Sequence, residues 1–405
     1  MHLPRHRLTS TALFLTLLAA FLGWMFDGLE MGIFPIVARP ALKEMAPNLS
    51  GANLEVFVGY WMSWATALFL WGAAAGGLVF GWLGDRFGRV RAMSWSVLTY
   101  SVFTGVCYYA KAPWHLAGLR FVAALGMGGE WALGVALVME VWPENKRPLL
   151  AALIGAASNV GFALIASLEL VIPAMREKWR LILLAGAAPA LLTFLIQRFV
   201  PESHRWETAV DTQKVTNPVR EIFRPNLRRN TLVAMGLASV ALIATWGAVQ
   251  WLALWAPLLP GARPNAKNYV QIASAVGAIL GGFVGAGLAA WIGRRFSYTC
   301  LCVLSLGVCT WVFRSSPHYD TAFFVGVFLI GCFTASFYGW MPLYLPELFP
   351  TSVRATAQGL AYNFGRILAG FGALGTGSLV ASLGGDYAKA GGTIVLIYIL
   401  GILLI

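Results

Sequence analysis

The sequence predicts an all-α, polytopic membrane protein of twelve transmembrane helices in two six-helix bundles. Three observations predict it. Of 405 residues, 59% are hydrophobic and 11% charged, whereas a soluble domain carries roughly 25% charged residues; such a chain needs lipid as its solvent. Apolar runs near the spanning length of about 20 residues occupy 10–36, 55–82, 92–110, 114–140, 149–172, 180–200, 230–258, 268–292, 297–314, 320–344, 356–381 and 390–405. The net charge of +12 lies in short blocks between these runs. That is the pattern of membrane loops, not of a basic face that binds nucleic acid.

Each element follows from its local sequence. The basic stretch 1–7 precedes a run too long for the apolar core of a secretory signal, which has about 7–15 residues; it reads as a retained first helix. With the N-terminus in the cytoplasm, 17 Lys or Arg fall on the inner side and 10 on the outer, with Arg120 and Arg366 inside helices. The excess favours that orientation in a cell (inner or plasma) membrane. The polar stretch 201–229 then forms a cytoplasmic linker between a first bundle, 1–200, and a second, 230–405, whose last run is short. Two linked bundles suit rocking about a solute site between them. A faint echo joins the halves: Gly88-Arg89-Val90-Arg91 follows the second run and Gly293-Arg294-Arg295 the eighth. Glycine clusters at Gly126, Gly128 and Gly129, and at Gly277, Gly281 and Gly282, read as close helix packing or as a moving contact. The five cysteines lie within apolar runs, without metal-ligand spacing, and read as packing thiols.

An ionisable group inside a span costs roughly 2.5–3.5 kcal/mol on insertion scales, so each needs an account. Asp27 and Glu30 share a face of the first helix. At about 1.5 Å per residue, Asp27 and Arg120 of the fourth helix reach similar depth, which predicts an Asp27–Arg120 pair. Such a carboxylate can alternate between the arginine and a proton, the element that proton coupling needs; a static pair is the alternative. Glu130, ten residues further along, reads as a brace for a loop or as a second proton site. Glu169 reads as interfacial. Arg366 falls near the midplane with no acid at its depth in the second half, so a solute carboxylate is the economical partner for its two-pronged guanidinium; backbone carbonyls or a first-half acid are the alternative. Trp246, Gln250, Tyr338, Tyr362 and Asn363 are candidate lining groups for a small polar solute with an apolar part.

Residues 81–91, Gly-Trp-Leu-Gly-Asp-Arg-Phe-Gly-Arg-Val-Arg, resemble the loop between helices two and three that marks the major facilitator superfamily. The resemblance implies that Asp85, Arg86 and Arg89 latch the cytoplasmic ends of the two halves. Pro201-Glu202-Ser203-His204-Arg205-Trp206, Glu140 with Arg147, and Glu347-Leu348-Phe349-Pro350-Thr351 to Arg354 resemble stretches of the sugar porters and related proton symporters. They imply a cytoplasmic charge network of Glu140, Arg147, Glu202, Arg205, Glu347 and Arg354. Asp27 and Arg120 match the first-helix acid and fourth-helix arginine of proton-coupled sugar porters. Phe26-Asp27-Gly28-Leu29-Glu30 and Gly128-Gly129-Glu130-Trp131, with Met139-Glu140 and Trp142-Pro143, are similar to the sialate, lactate and aromatic-acid proton symporters.

The resulting expectation is a secondary transporter that symports a small organic anion with a proton, through Asp27, Arg120, Glu30 and Glu130 for the proton and Arg366 for the carboxylate. Partners are the solute and the bilayer, with no nucleic acid; the carrier is expected to be monomeric and to need no cofactor or metal, the proton being the coupling ion. A neutral-sugar carrier would want more amide and hydroxyl groups than Gln250, Gln358 and Asn363. A drug exporter would want proline in the fifth helix, where 153–168 has none. A non-transporting sensor keeps the fold without turnover. An enzyme would need a nucleophile with its base, a metal cluster or a phosphate loop, and the sequence offers none.

Overall fold

The computed structural model describes residues 10–142, 147–172, 178–191, 193, 218–315, 318–350 and 354–405. Among the described residues the chain is helical throughout: α1 (Ser10–Met45), α2 (Gly51–Phe87), α3 (Arg89–Val106), α4 (Pro113–Val141), α5 (Arg147–Val171), α6 (Trp179–Ala185), α7 (Pro225–Gly247), α8 (Ala266–Trp291), α9 (Arg294–Ser315), α10 (Thr321–Tyr344), α11 (Arg354–Ser382) and α12, which a turn splits into Tyr387–Ile394 and Ile397–Leu404. Nine of them, α1, α2, α5 and α7 to α12, are long and apolar enough to cross a bilayer within the described residues. The last helix starts before its apolar run because Asp386 caps it, accepting from the Lys389 N–H at 2.9 Å.

Small residues let the long helices touch backbone to backbone. A Cβ at Gly76 would lie 1.9 Å from the Leu125 carbonyl, and one at Gly128 1.9 Å from the Ala73 carbonyl, so α2 and α4 meet over two turns. The second half repeats this between α8 and α10, where Gly277, Gly281 and Gly285 sit on the carbonyls of Phe328, Cys332 and Ser336. Both predicted glycine clusters therefore include close-packing positions. The loop echo also has a geometric basis. Gly88 turns α2 into α3 at φ 103°, and Gly293 turns α8 into α9 at φ 84°, a region that residues with a Cβ avoid.

Across the halves, α2 packs on α11 and α5 on α8. One end of the molecule, where α1 begins, is called the Ser10 end; the other is the Met45 end. At the Met45 end the first two turns of α8 grip α1 and α5. Lys267 Nζ donates to the Ile36 carbonyl and to Glu169, each at 2.9 Å. Asn268 donates to the Ala166 carbonyl at 3.0 Å and to Glu169. Gln271 donates to the Gly32 and Phe162 carbonyls at 3.1 Å. The Ile36 carbonyl is free to accept because Pro40, four residues on, has no N–H. Glu169 is thus buried between the halves, at 3% exposure, and not interfacial: its carboxylate is the acceptor around which the seal is built.

Candidate substrate cavity

A cavity of about 570 Å³ lies between the halves, walled by α1, α2, α4 and α5 on one side and by α7, α8, α10 and α11 on the other. Its size suits a small molecule. Much of the wall is aromatic, with Trp24, Phe69, Phe162, Trp246, Tyr338 and Tyr362. Four of the five predicted lining residues, Trp246, Gln250, Tyr338 and Tyr362, reach it, and so does Arg366. Tyr338 donates its hydroxyl to Thr245 at 3.1 Å. Asn363 instead turns away and packs against Gly77 of α2. From there its Oδ1 accepts from Arg366 at 3.3 Å.

Arg366 is buried, at 8% exposure. Its guanidinium lies over the Tyr362 ring at 4.8 Å and makes a long contact, 3.5 Å, to the Ala73 carbonyl of α2. Among the described residues no carboxylate stands within ion-pair distance of it. Its hydrogen bonds to Ala73 and Asn363 are long and go to neutral oxygens, on a cavity wall between the halves.

The four charged groups of the first half sort into two pairs, not into the pair expected from depth. Arg120 bonds Glu30, not Asp27, at 3.0 Å, and Thr104 adds a donor to Glu30 at 3.3 Å. The Arg120 guanidinium is held between the Phe34 and Phe69 rings, at 4.5 and 4.8 Å, and Phe69 in turn meets Trp246 on the cavity wall at 5.6 Å. Glu130 does not reach out to a loop. It packs on α1 at Gly23, whose Cβ would collide with its Oε1, and its carboxyl neighbours that of Asp27. Asp27 is fully buried and Glu130 is 2% exposed. Neither carboxyl receives a donor from another residue. Two such groups in contact repel when both are charged, and a proton held between them turns the repulsion into a hydrogen bond. Arg366 lies within electrostatic reach of Asp27.

The reason for the changed pairing is the lean of helical side chains toward the N-terminus of their own helix. Helices α1 and α4 run antiparallel, since Glu30 meets Arg120 while Gly23 meets Glu130. Asp27 and Glu130 therefore lean toward one another, which a count of backbone rise omits.

Of the predicted cytoplasmic network, Glu202 and Arg205 and the side chains of Asp85, Arg86, Arg89, Glu140, Arg147 and Arg354 lie outside the described residues. Glu347 is described. It pairs with Arg294, in the second of the two echoing loops, at 2.9 Å. Sequence reasoning passed over Lys267, Asn268 and Gln271 because their role is set by contacts across the halves. Asn159 and Phe69 were missed too, although an asparagine in the middle of an apolar run was a visible signal.

Comparison with known proteins agrees with this architecture. The family model described as Major Facilitator Superfamily matches residues 12–373. A protein of Haemophilus influenzae assigned to metabolite transport is 30% identical over 96% of this chain and 93% of its own. A protein of Cupriavidus pinatubonensis assigned to 4-methylmuconolactone transport is 29% identical over 94% and 87%. The cis,cis-muconate transport protein of Acinetobacter baylyi is 27% identical over 90% and 86%. Among solved structures, the proton:xylose symporter XylE of E. coli superposes with a TM-score of 0.74 at 16% identity, over 97% of this chain and 95% of that one, which supports the fold. The chain belongs to the major facilitator superfamily, a family of multi-pass membrane transporters.

Proposed function

We propose that this chain is a secondary active transporter that symports a small organic anion with a proton by alternating access, its first and second bundles (1–200 and 230–405) rocking about the cavity. The observation that carries the reading is a buried guanidinium on the cavity wall, Arg366, without a carboxylate partner among the described residues and within electrostatic reach of Asp27, which neighbours Glu130. The names of the relatives, which include a cis,cis-muconate and a 4-methylmuconolactone transporter, support an organic-acid cargo. The excess of Lys and Arg at the Ser10 end supports a cytoplasmic N-terminus.

The geometry suggests how the two substrates are linked. In the empty carrier Asp27 as carboxylate is attracted to Arg366. An incoming anion takes that attraction for itself, with two donors on one carboxylate. Asp27 then takes up a proton from solution, so the added anion is matched by an added proton, and carrier, anion and proton move as a unit that has buried no extra charge. The Glu30–Arg120 pair, already bonded, serves as the fixed scaffold on which Asp27 is set.

The test is uptake of labelled monocarboxylates, sugar acids and neutral sugars into proteoliposomes under an inward proton gradient. Arg366→Ala is expected to abolish anion uptake, and Arg366→Lys to raise KM by tenfold or more, since a point charge replaces a fork. Neutral sugars carried equally by wild type and Arg366→Ala contradict the reading.

A further inference from the structure

The main cavity has an annexe. A space of about 20 Å³ opens between α5, α8 and α10, on a wall made of small residues that include Gly155, Ala278, Gly282 and Gly339. Gly339 packs on the Gly282 carbonyl, but Gly155 and Gly282 have open room beside their own Cα. A Cβ at Gly155 or at Gly282 would meet nothing within 4 Å, so the room beside them is not consumed by helix contact.

Asn159 stands where the two spaces join and is on the walls of both. It is the central residue of α5, twelve positions from Arg147 and twelve from Val171, which is the depth at which transporter sites are built. Its amide makes no hydrogen bond among the described residues. The neighbouring amide on the cavity, Gln271, spends its N–H groups on the Gly32 and Phe162 carbonyls. Asn159 is half-buried on the cavity wall, so its amide is open to a ligand group. Arg366 sits at the contact of α11 with α2, whereas Asn159 sits at the contact of α5 with α8 and α10. The cavity therefore has a cationic pole on one flank and a neutral hydrogen-bonding pole on the other.

We infer that Asn159 and the annexe beside Gly155 and Gly282 select anions that carry a second hydrogen-bonding group, such as a hydroxyl or a second carboxyl, at the end remote from the carboxylate held by Arg366. This rests on the organic-anion reading and narrows it: Arg366 decides that the solute is an acid, and Asn159 decides what its far end is. Asn159 can serve a hydroxyl or a protonated acid with its Oδ1 and a carboxylate with its Nδ2. The annexe admits one or two heavy atoms.

The experiment compares uptake of benzoate and 4-hydroxybenzoate, and of a hexadienoate and the corresponding muconate, in proteoliposomes of wild type, Asn159→Leu, Asn159→Ser and Gly155→Val. Wild type is expected to favour the bifunctional acid of each pair. Asn159→Leu is expected to cut that preference by tenfold or more, the ratio that follows from an unpaired polar group. Asn159→Ser retains part of the preference, and Gly155→Val fills the annexe and lowers uptake of the longer acid. Equal loss for both members of a pair makes Asn159 a folding residue and overturns the inference. Equal transport of both by wild type also overturns it while the anion reading stands. A wild type that carries none of these acids but moves neutral sugars overturns the anion reading itself.

Discussion

Replacing Lys267 with Met should release the Met45 end. Lys267 holds two acceptors, the Ile36 carbonyl and Glu169 Oε1. The Ile36 carbonyl lost its helical partner to Pro40, and Glu169 keeps only Asn268 once the ammonium is gone. A hydrogen bond to a charged group contributes about 1.5–3 kcal/mol, and breaking a buried pair costs about 3–5 kcal/mol. The Lys267 side chain is 21% exposed, so water reaches the site and the lower part of that range applies, about 2–3 kcal/mol. At about 1.4 kcal/mol per factor of ten, the population open at this end should rise roughly 30- to 150-fold. The assay is modification of Ser158→Cys, on the cavity wall, by an impermeant thiol reagent from the Met45 face, with the five native cysteines replaced by alanine. The modification rate should rise by an order of magnitude or more. Adding Glu169→Gln to Lys267→Met should change it by less than the sum of the single effects. An unchanged rate alongside a lowered melting temperature would refute the reasoning, because the contacts would then hold the fold and not the gate.

Two further predictions test packing and charge. Gly128→Val places atoms on the Ala73 carbonyl, where even a Cβ would lie at 1.9 Å, whereas Gly287→Ala meets nothing within 4 Å. The first should destabilise the detergent-solubilised protein by about 1–3 kcal/mol or prevent its folding, and the second should leave the melting temperature unchanged. Arg120→Met leaves the Glu30 carboxylate buried without its cation and should cost about 3–5 kcal/mol, read as a fall in melting temperature. The double variant with Glu30→Gln should recover much of that loss.

How much of this was legible in the sequence depended on whether the signal was local. The spans were legible because hydropathy acts on each helix separately, and the close approach of helices was legible in the glycine spacing. Four of the five predicted lining residues and Arg366 reach the cavity, since a polar group in an apolar run tends to face inward. Pairing was harder. Asp27 and Glu30 differ in depth by three residues, about 4.5 Å, which is no more than the uncertainty of a helix end read from sequence. Arg120 therefore could be matched with either acid. The Glu30 assignment also needs Phe34 and Phe69 to clamp the guanidinium, and Phe69 comes from another helix. Glu130 stayed open between a brace and a second proton site because its place beside Asp27 depends on two side chains leaning together. The Met45 seal was invisible for a similar reason: Lys267 looks like one more loop cation until Pro40 exposes the carbonyl it caps.

The central claim is that a proton on the Asp27–Glu130 pair travels with the anion. The most direct test is to compare uphill accumulation with counterflow exchange of the same labelled acid, for wild type, Asp27→Asn and Glu130→Gln. Wild type should accumulate the acid against its gradient when protons flow inward, and Asp27→Asn should lose that accumulation while retaining exchange of internal for external acid, because a permanently neutral side chain mimics the loaded carrier. Accumulation by Asp27→Asn at the wild-type level would contradict the account and make Asp27–Glu130 a structural pair.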